Sequence, residues 1–274
     1  MKISTIKTLI RYLFLAGASV MFIFPIYYLI VVSLSSKPHI ETGSLIPDMF
    51  VKNWRDVISG FGGIGGSGIT NSLIISASSV VVALILGIPA AYAISRYKFM
   101  ANKHLFFWFL TNRMTPPACL ILPYLIMWRA LGIWDTLYGL VMAYMVFNIP
   151  IAVWLLASFM ASIPREIDEA AFIDGYSLGR YFRKIFLPLC LPGIGVTSFF
   201  VWIYTWSEMF IASIISSVYS KPLTAQLMIS LGRVGWGVEY GIASAAGVLT
   251  MVPGIALLYW ARAYLAKGFT FGRI

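Results

Sequence analysis

The ionisable side chains of this sequence concentrate in one short stretch. Eight of them lie between Arg165 and Lys184, although charged residues make up only 11% of the 274 positions. Glu166, Asp168 and Glu169 lie near the start of the stretch, and three basic residues lie near its end. Charge at this density, between long apolar runs, raises two questions: on which side of a membrane the stretch lies, and what it contacts there.

The motifs of catalytic, metal-binding and nucleotide-binding sites are missing from the sequence. The glycine-rich run from Gly60 to Gly68 lacks the Gly-Lys-Ser/Thr that ends a phosphate-binding loop, so it predicts a flexible connection. The sequence contains no His-Glu-x-x-His and no Gly-x-Ser-x-Gly, and it has only two histidines, His39 and His104. We therefore expect no enzymatic activity and no metal or cofactor bound by this chain.

The composition indicates a membrane protein. Hydrophobic residues make up 60% of the chain, and the mean hydropathy is +0.86. The net charge of +10 comes from short basic clusters beside apolar runs, which is typical of topology signals rather than of nucleic-acid contacts. Cys119 and Cys190 lie inside different apolar runs, so we expect two buried thiols.

Six apolar runs are long enough to cross a membrane as helices, since a crossing needs roughly 20 residues. The charge-free run at 12–36 is longer than the core of a signal peptide, so we expect it to be kept as the first span. The sequence thus predicts an all-α membrane protein, with one domain over residues 1–274 and spans at about 13–34, 71–95, 105–127, 136–161, 189–206 and 240–261.

The distribution of Lys and Arg predicts the orientation of these spans. Thirteen of the 20 basic residues fall in the two terminal segments and in the connections after the second and fourth spans. The positive-inside rule therefore places both termini and the charged stretch in the cytoplasm. The longer loops then lie outside.

Local signals predict two short helices within residues 163–188. Pro164 suits the first turn of a helix, and the adjacent acidic residues favour its N-terminal end. Gly175 predicts the end of this helix, and Ser177 suits the N-cap of a second one. Ala170 and Ala171 leave a shallow strip that a neighbouring molecule can approach closely. The prediction is a bent, rigid element.

The same residues form a recognisable pattern: Glu169-Ala170-Ala171, three residues, Gly175, nine residues, then Ile185-x-Leu187-Pro188. It resembles the EAA motif of permease subunits in bacterial ATP-binding-cassette importers. Two weaker features are similar to the maltose-type carbohydrate permeases of that class, namely Trp206-Ser207-Glu208 and the tail Gly268-Phe269-Thr270-x-Gly272.

The resemblance implies a mechanism and a set of partners. The EAA segment would be a coupling helix seated in a cleft of a separate ATPase subunit, where Glu169 pairs with a basic residue, Ala170 and Ala171 allow close seating, and Gly175 forms the bend. The coupling residues carried over in this way are Glu169, Ala170, Ala171, Asp174, Gly175, Ile185, Leu187 and Pro188. The implied complex contains a second, different permease, two ATPase subunits that bind ATP and magnesium, and an extracytoplasmic solute-binding protein, in the bacterial inner membrane with its lipids. The alternative is a merely solvated loop.

Arg113 is the only charge inside the predicted spans, where an arginine costs at least ~2.5 kcal/mol. It follows Asn112, and Pro116 and Pro117 must interrupt the helix just beyond it. We consider two roles: Arg113 lines the translocation path or gate together with Asn112 and Trp202, or it holds the broken helix by bonding to freed carbonyls. The resemblance does not decide between them.

The predicted outer loops carry weaker signals. By resemblance to the maltose type, Lys221, Pro222 and Thr224 are candidate contacts for the binding protein; the alternative is an amphipathic surface helix without a partner. Four tryptophans fall near the predicted outer boundary, where they suit an interfacial belt better than sugar-stacking platforms: Trp128, Trp134, Trp206 and Trp236.

The residues of the spans also bear on the cargo. The spans contain no Asp or Glu, which disfavours an ion-coupled carrier, and no nucleophile–base pair for an intramembrane enzyme is visible. The absence of intramembrane carboxylates suits a neutral carbohydrate or polyol. An amino acid, phosphate or peptide is the alternative cargo within the importer class.

Overall fold

Helices are the main secondary structure in the part of the protein that is described. The computed structural model describes residues 3–59, 68–231 and 239–271, and no β-strand occurs among them. A 3-10 turn, Pro117–Leu120, and a π-helical turn, Phe182–Phe186, accompany the α-helices. The α-helices are α1 Ile3–Ser33, α2 Lys37–Glu41, α3 Lys52–Ile58, α4 Gly68–Arg96, α5 Asn102–Arg113, α6 Ile121–Ala130, α7 Leu137–Ala161, α8 Arg165–Ile173, α9 Leu178–Tyr181, α10 Leu187–Leu189, α11 Leu191–Ser207, α12 Phe210–Ile215, α13 Leu223–Leu231 and α14 Tyr240–Phe271.

Four of the described helices contain stretches long and apolar enough to cross a membrane, in α1, α4, α7 and α14. A fifth span is obtained if Leu178–Leu189 and Leu191–Ser207, which meet at 70°, form one bent span. The all-α membrane fold is therefore as predicted, whereas the count of six spans and the orientation with both termini in the cytoplasm stay predictions. The predicted helix at 105–127 is instead α5 and α6, because Pro116 and Pro117 have no N–H to continue the helical hydrogen bonds.

The helices form two compact units. One unit contains α1 to α3 and the first part of α14, and the other contains α4 to α12 and the end of α14; α13 contributes to both. The prediction of a single domain stays a prediction.

The larger unit is built on α4, α7 and α11, which pack against one another. Small residues set the spacing of these helices. A Cβ on Gly87 of α4 would lie 3.2 Å from the Cβ of Ala152 in α7, and one on Gly193 of α11 would lie 2.7 Å from the ring of Phe159. Close approach through small residues is how membrane helices gain packing energy without a hydrophobic driving force.

Within the smaller unit, α3 is joined to the end of α1 by polar contacts. The side chain of Asn53 donates to the carbonyls of Ser33 at 3.2 Å and Ser35 at 2.9 Å. The indole of Trp54 donates to the hydroxyl of Ser33 at 3.3 Å. Most side chains of α1 are exposed in the isolated chain, including Phe22 at 76%. An apolar surface of this kind requires lipid or another subunit.

Three expectations about individual side chains need correction. Cys119 is exposed rather than buried, because it lies in the interrupted segment between α5 and α6, whereas Cys190 is buried as expected. Trp128 and Trp206 are buried in the protein and therefore do not form an interfacial belt. Trp134 is half-buried and donates to the carbonyl of Ile214. Trp236, the tail residue Gly272 and most of the glycine-rich run lie outside the described residues.

Candidate functional site

The charged stretch folds as two helices with a bend at Gly175. Gly175 has φ +80°, and two hydrogen bonds end α8: Tyr176 N–H to the Ala171 carbonyl at 3.0 Å and Gly175 N–H to the Phe172 carbonyl at 3.1 Å. This is the Schellman arrangement of a glycine-terminated helix. Ser177 precedes α9 with an extended backbone, as an N-cap residue does, although its side chain makes no capping hydrogen bond.

The exposed face of α8 carries the first part of the EAA pattern. Glu169, Ala170 and Asp174 are exposed, and Ile173 is 85% exposed. Ala171, by contrast, is buried against its own chain. The expected strip of two alanines is therefore only one alanine wide, because adjacent helical residues point about 100° apart.

The second part of the pattern lies in and after the π-helical turn Phe182–Phe186. Ile185 and Leu187 are half-buried and Pro188 is exposed in the first turn of α10. The ring of Phe186 is buried and lies 5.0 Å from that of Tyr92 in α4. Ile185 and Phe186 therefore contribute to the packing that joins the charged stretch to the membrane helices.

An ionic contact links α8 to the end of α4. The Nε of Arg96 lies 2.9 Å from Oδ2 of Asp168, in an ion pair that is not aligned as a hydrogen bond. A second guanidinium nitrogen donates to the Ile163 carbonyl at 3.0 Å, and the hydroxyl of Tyr181 donates to the other Asp168 oxygen. Sequence reasoning missed the roles of Arg96 and Tyr181; the only signal was a basic residue at the end of a predicted span.

Among the described residues, Arg113 contacts two aromatic rings, and its two expected roles both stay predictions. Its guanidinium carbon lies 4.0 Å from the ring centre of Tyr204 in α11 and 5.9 Å from that of Phe147 in α7. In this segment it is Asn112 that makes a hydrogen bond to a backbone carbonyl: its side-chain amide donates to the carbonyl oxygen of Trp108 at 3.0 Å. A cation on an aromatic face is attracted by the negative face of the ring, which offsets part of the cost of burial.

Trp202 lies on the same helix as Tyr204. Its indole stacks on that of Trp206, with ring centres 6.0 Å apart and planes 10° apart. Its Nε1 is buried and, within the described part of the chain, has no hydrogen-bond partner. A buried donor without an acceptor costs free energy, which a polar solute or a water molecule can recover. Trp202 therefore remains a candidate for the path.

The segment after α12 is fixed by the carboxylate of Asp135. The carboxylate accepts hydrogen bonds from the side chain of Ser220 and from four backbone N–H groups, those of Ser217, Val218, Tyr219 and Ser220, at 2.7–3.2 Å. Burial alone would raise the pKa of Asp135, but these N–H groups outweigh burial and hold the pKa below its ordinary value. Sequence reasoning gave Asp135 no role.

The three candidate contacts for a binding protein differ in availability. Lys221 is half-buried, and burial lowers its pKa, with partial opposition from Asp135. Pro222 is buried, and the hydroxyl of Thr224 donates to the Glu208 carbonyl at 2.9 Å. Lys221 therefore offers a charged side chain to a partner, whereas Pro222 is enclosed and the Thr224 hydroxyl already donates within the chain.

The smaller unit contains a concave surface that carries several charged residues. Its cavity of about 630 Å³ is lined by carboxylates, ammonium groups and two aromatic rings, and none of the lining charges forms an ion pair with another described residue. The charged and aromatic lining residues are Lys37, Glu41, Phe50, Lys52, Asp56, Glu239 and Tyr240.

A helical membrane fold in which a bent pair of helices carries the EAA pattern defines the class of transport permeases. The family model described as "Binding-protein-dependent transport system inner membrane component" matches residues 83–271. The chain belongs to this family and is therefore an inner-membrane transport subunit.

Two relatives illustrate the match. The trehalose transport system permease protein SugB of Mycobacterium tuberculosis is 28% identical over 253 residues, which are 91% of each chain. The diacetylchitobiose uptake system permease protein DasC of Streptomyces coelicolor is 26% identical over 206 residues, 75% of this chain and 74% of DasC.

Solved structures share the fold. A chain of a bacterial ATP-binding-cassette transporter involved in the import of the acidic polysaccharide alginate has a TM-score of 0.77, with 20% identity over 96% of this chain and 98% of that chain. A chain of the MetNI methionine transporter has a TM-score of 0.60, with 17% identity over 73% of this chain and 94% of that chain. At these identities the likeness concerns the fold alone.

Proposed function

We propose that this permease carries a neutral carbohydrate or polyol into the cell, driven by ATP hydrolysis in separate subunits. The observation that carries the cargo assignment is the similarity over 91% of the chain to a permease named for trehalose, supported by a second relative named for diacetylchitobiose. The predicted spans contain no Asp or Glu, which suits an uncharged solute.

The proposed complex contains a second permease, two ATPase subunits and a solute-binding protein. ATP and magnesium would bind to the ATPase subunits, since the sequence has no phosphate-binding loop. The charged cavity of the smaller unit and Lys221 are the surfaces that we assign to the binding protein. Charges of both signs suit a protein partner with complementary charges.

The α8 helix is the proposed contact with the ATPase. Its exposed residues Glu169, Ala170 and Asp174 support this role, because a carboxylate beside a small side chain can reach a basic residue at close range. Closure of the ATPase subunits would then move α8 and, through it, the membrane helices. Gly175 would preserve the angle between α8 and α9.

The variants Glu169→Lys and Gly175→Leu test this role. We expect both to insert and assemble normally but to lose most uptake while ATP hydrolysis continues, because the first reverses the contact charge and the second forces a side chain into φ +80°. The measurement is uptake and ATP hydrolysis by the reconstituted complex. Glu166→Gln, an exposed change on the same helix, is the matched control. Unchanged uptake in both variants would exclude the coupling role.

The cargo is tested separately with the binding protein. Candidate sugars, polyols, amino acids and peptides are screened for those that make the binding protein stimulate ATP hydrolysis by the complex. We expect stimulation by a neutral saccharide or polyol. Stimulation by an amino acid or a peptide alone would overturn the cargo assignment and leave the importer assignment intact.

A further inference from the structure

Side-chain contacts attach α8 to the rest of the chain, in addition to the two turns that flank it. Arg96 is the last residue of α4, where a positive charge is favoured by the helix dipole. Its guanidinium contacts both the turn before α8, at the Ile163 carbonyl, and α8 itself, at Asp168. One side chain therefore spans the junction between α7 and α8.

Asp168 extends this connection to α9. One carboxylate oxygen lies 2.9 Å from Arg96 Nε, and the other accepts the hydroxyl of Tyr181. Tyr181 is fully buried, and its ring lies 5.2 Å from that of Phe172 on α8. We call Arg96, the Ile163 carbonyl, Asp168 and Tyr181 the Arg96 network. It joins α4, α8 and α9.

The Arg96 network lies where electrostatic contacts are strong. The side chain of Arg96 is 5% exposed and that of Asp168 is 16% exposed, so water screens their attraction little. The guanidinium also lies 4.9 Å above the ring of Phe186. Removing one partner would leave a buried charge unpaired, which is the costly way to break such a pair.

The side chains of the Arg96 network bind to one another, whereas the exposed residues of the EAA pattern are free to contact another molecule. Glu169 and Asp174 face away from the chain, whereas Asp168 faces inward. Asp168 and Glu169 are adjacent in sequence, yet one is available to a partner and the other is bound to α4. One face of α8 therefore attaches the helix to its own chain, and the other is available to a partner.

We infer that the Arg96 network makes α8 move as one body with α4, so that displacement of α8 by the ATPase reaches the membrane core directly. α4 packs against both α7 and α11, so its movement reaches the whole core of the larger unit. Arg96, Asp168 and Tyr181 are positioning residues in this scheme. The inference rests on the proposed contact of α8 with the ATPase and adds the route by which movement leaves α8.

The test compares variants of the full complex in proteoliposomes, with its binding protein and with the saccharide that passes the cargo screen. The measured quantity is solute taken up per ATP hydrolysed by assembled complexes. We expect Arg96→Gln and Asp168→Asn to lower this ratio about fivefold or more, which is the scale of typical coupling between sites. Glu166→Gln, which changes an exposed carboxylate of α8, should leave the ratio unchanged.

Two further variants separate coupling from folding. Tyr181→Phe keeps the buried ring and removes only the hydroxyl, so we expect normal assembly with a smaller fall in the ratio. Arg96→Lys keeps the charge beside Asp168 and should retain most of the ratio. A merely structural role would lower the amount of assembled complex without changing uptake per ATP.

The outcomes are distinguishable from failure of the proposed function. If Glu169→Lys uncouples the complex while Arg96→Gln, Asp168→Asn and Tyr181→Phe keep the normal ratio, the inference is wrong and the ATPase contact stands. If Glu169→Lys also has no effect, the coupling role of α8 is wrong as a whole. If Arg96→Gln and Asp168→Asn fail to assemble, the inference is judged on Tyr181→Phe alone. A lower uptake per ATP in that variant supports the inference, and a normal value contradicts it.

Discussion

Asp135 shows how a single carboxylate determines the path of a long connection. It has φ +56°, a conformation that aspartate tolerates better than most residues, and its N–H donates to the Ile215 carbonyl at 3.0 Å. The main-chain donors of the 217–220 turn converge on its side chain, as in other anion-binding nests of backbone N–H groups. The turn carries the exposed Tyr219 and leads into Lys221. The position of the surface formed by Tyr219 and Lys221 therefore depends on Asp135, which lies more than 80 residues earlier in the sequence.

The variant Asp135→Asn should weaken the hydrogen bonds that hold the turn at residues 217–220 and so make the turn more mobile. We expect the amides of residues 217–220 to exchange hydrogen at least about tenfold faster, because charge-assisted hydrogen bonds to the carboxylate are lost. Hydrogen–deuterium exchange with mass spectrometry measures the effect. Asp48→Asn is the control, since Asp48 accepts hydrogen bonds only from Ser36 among the described residues.

The same turn should respond to pH in one direction. The pKa of Asp135 is depressed in the folded protein, so its contribution is present above the ordinary carboxyl pKa of about 4 and is lost as the pH falls through the lower, folded value. Protection of the turn should therefore persist from neutral pH to about pH 4, after correction for the intrinsic exchange rate. Loss of protection between pH 7 and pH 5 would contradict the assignment.

At the level of elements, the interruption between α5 and α6 brings a cation to the packed core. The helix ends at Arg113, and the guanidinium lies over Tyr204 of α11. The chain therefore has a break in a predicted span, a charge at that break and an aromatic partner on a neighbouring helix. Breaks of this kind in transport proteins occur where backbone lines a cavity or is covered by protein.

Replacement of Arg113 distinguishes a role in the path from a role in packing. If Arg113 lines the path, Arg113→Met should assemble normally but lose uptake, whereas Arg113→Lys, which keeps a cation over the ring, should retain part of it. Uptake and the yield of assembled complex are measured together. Normal uptake by Arg113→Met would exclude the path role, and a parallel fall in both quantities would indicate packing.

The elements also show what the sequence can and cannot reveal. The bend at Gly175 was predictable, because helix ends are encoded by neighbouring residues such as a C-terminal glycine. The partner of Asp168 was not, since Arg96 lies 72 positions earlier and only the packing of α8 on α4 brings them together. The burial of Ala171 and Trp206 was missed for a related reason: hydrophobicity and position identify a membrane boundary but not which face meets protein.

At the scale of the whole molecule, much of the apolar surface is left for other molecules. The exposed residues of α1 include Phe14, Met21 and Phe22, and those of α14 include Ile255 and Tyr259. Lipid or a second permease can cover this surface, so its exposure alone does not distinguish a single subunit from the proposed complex.

Co-purification tests the assembly. A tagged copy of this chain, extracted in mild detergent from its native host, should retain an ATPase subunit and a different permease, identified by mass spectrometry. A second, differently tagged copy of the same chain is the control and should not be retained. Recovery of both tags together would show a homodimer and overturn the heterodimer, and absence of an ATPase would contradict the importer complex.

The division of α8 into an inward and an outward face has a consequence for engineering. The residues that attach the helix to its own subunit, Asp168 and Ala171, are separate from those available to the ATPase, such as Glu169, Ala170 and Ile173. The outward set can therefore be exchanged for that of another importer without disturbing the inward one. A permease with such a graft would couple to the ATPase subunits of the other importer, while its own translocation path stayed unchanged.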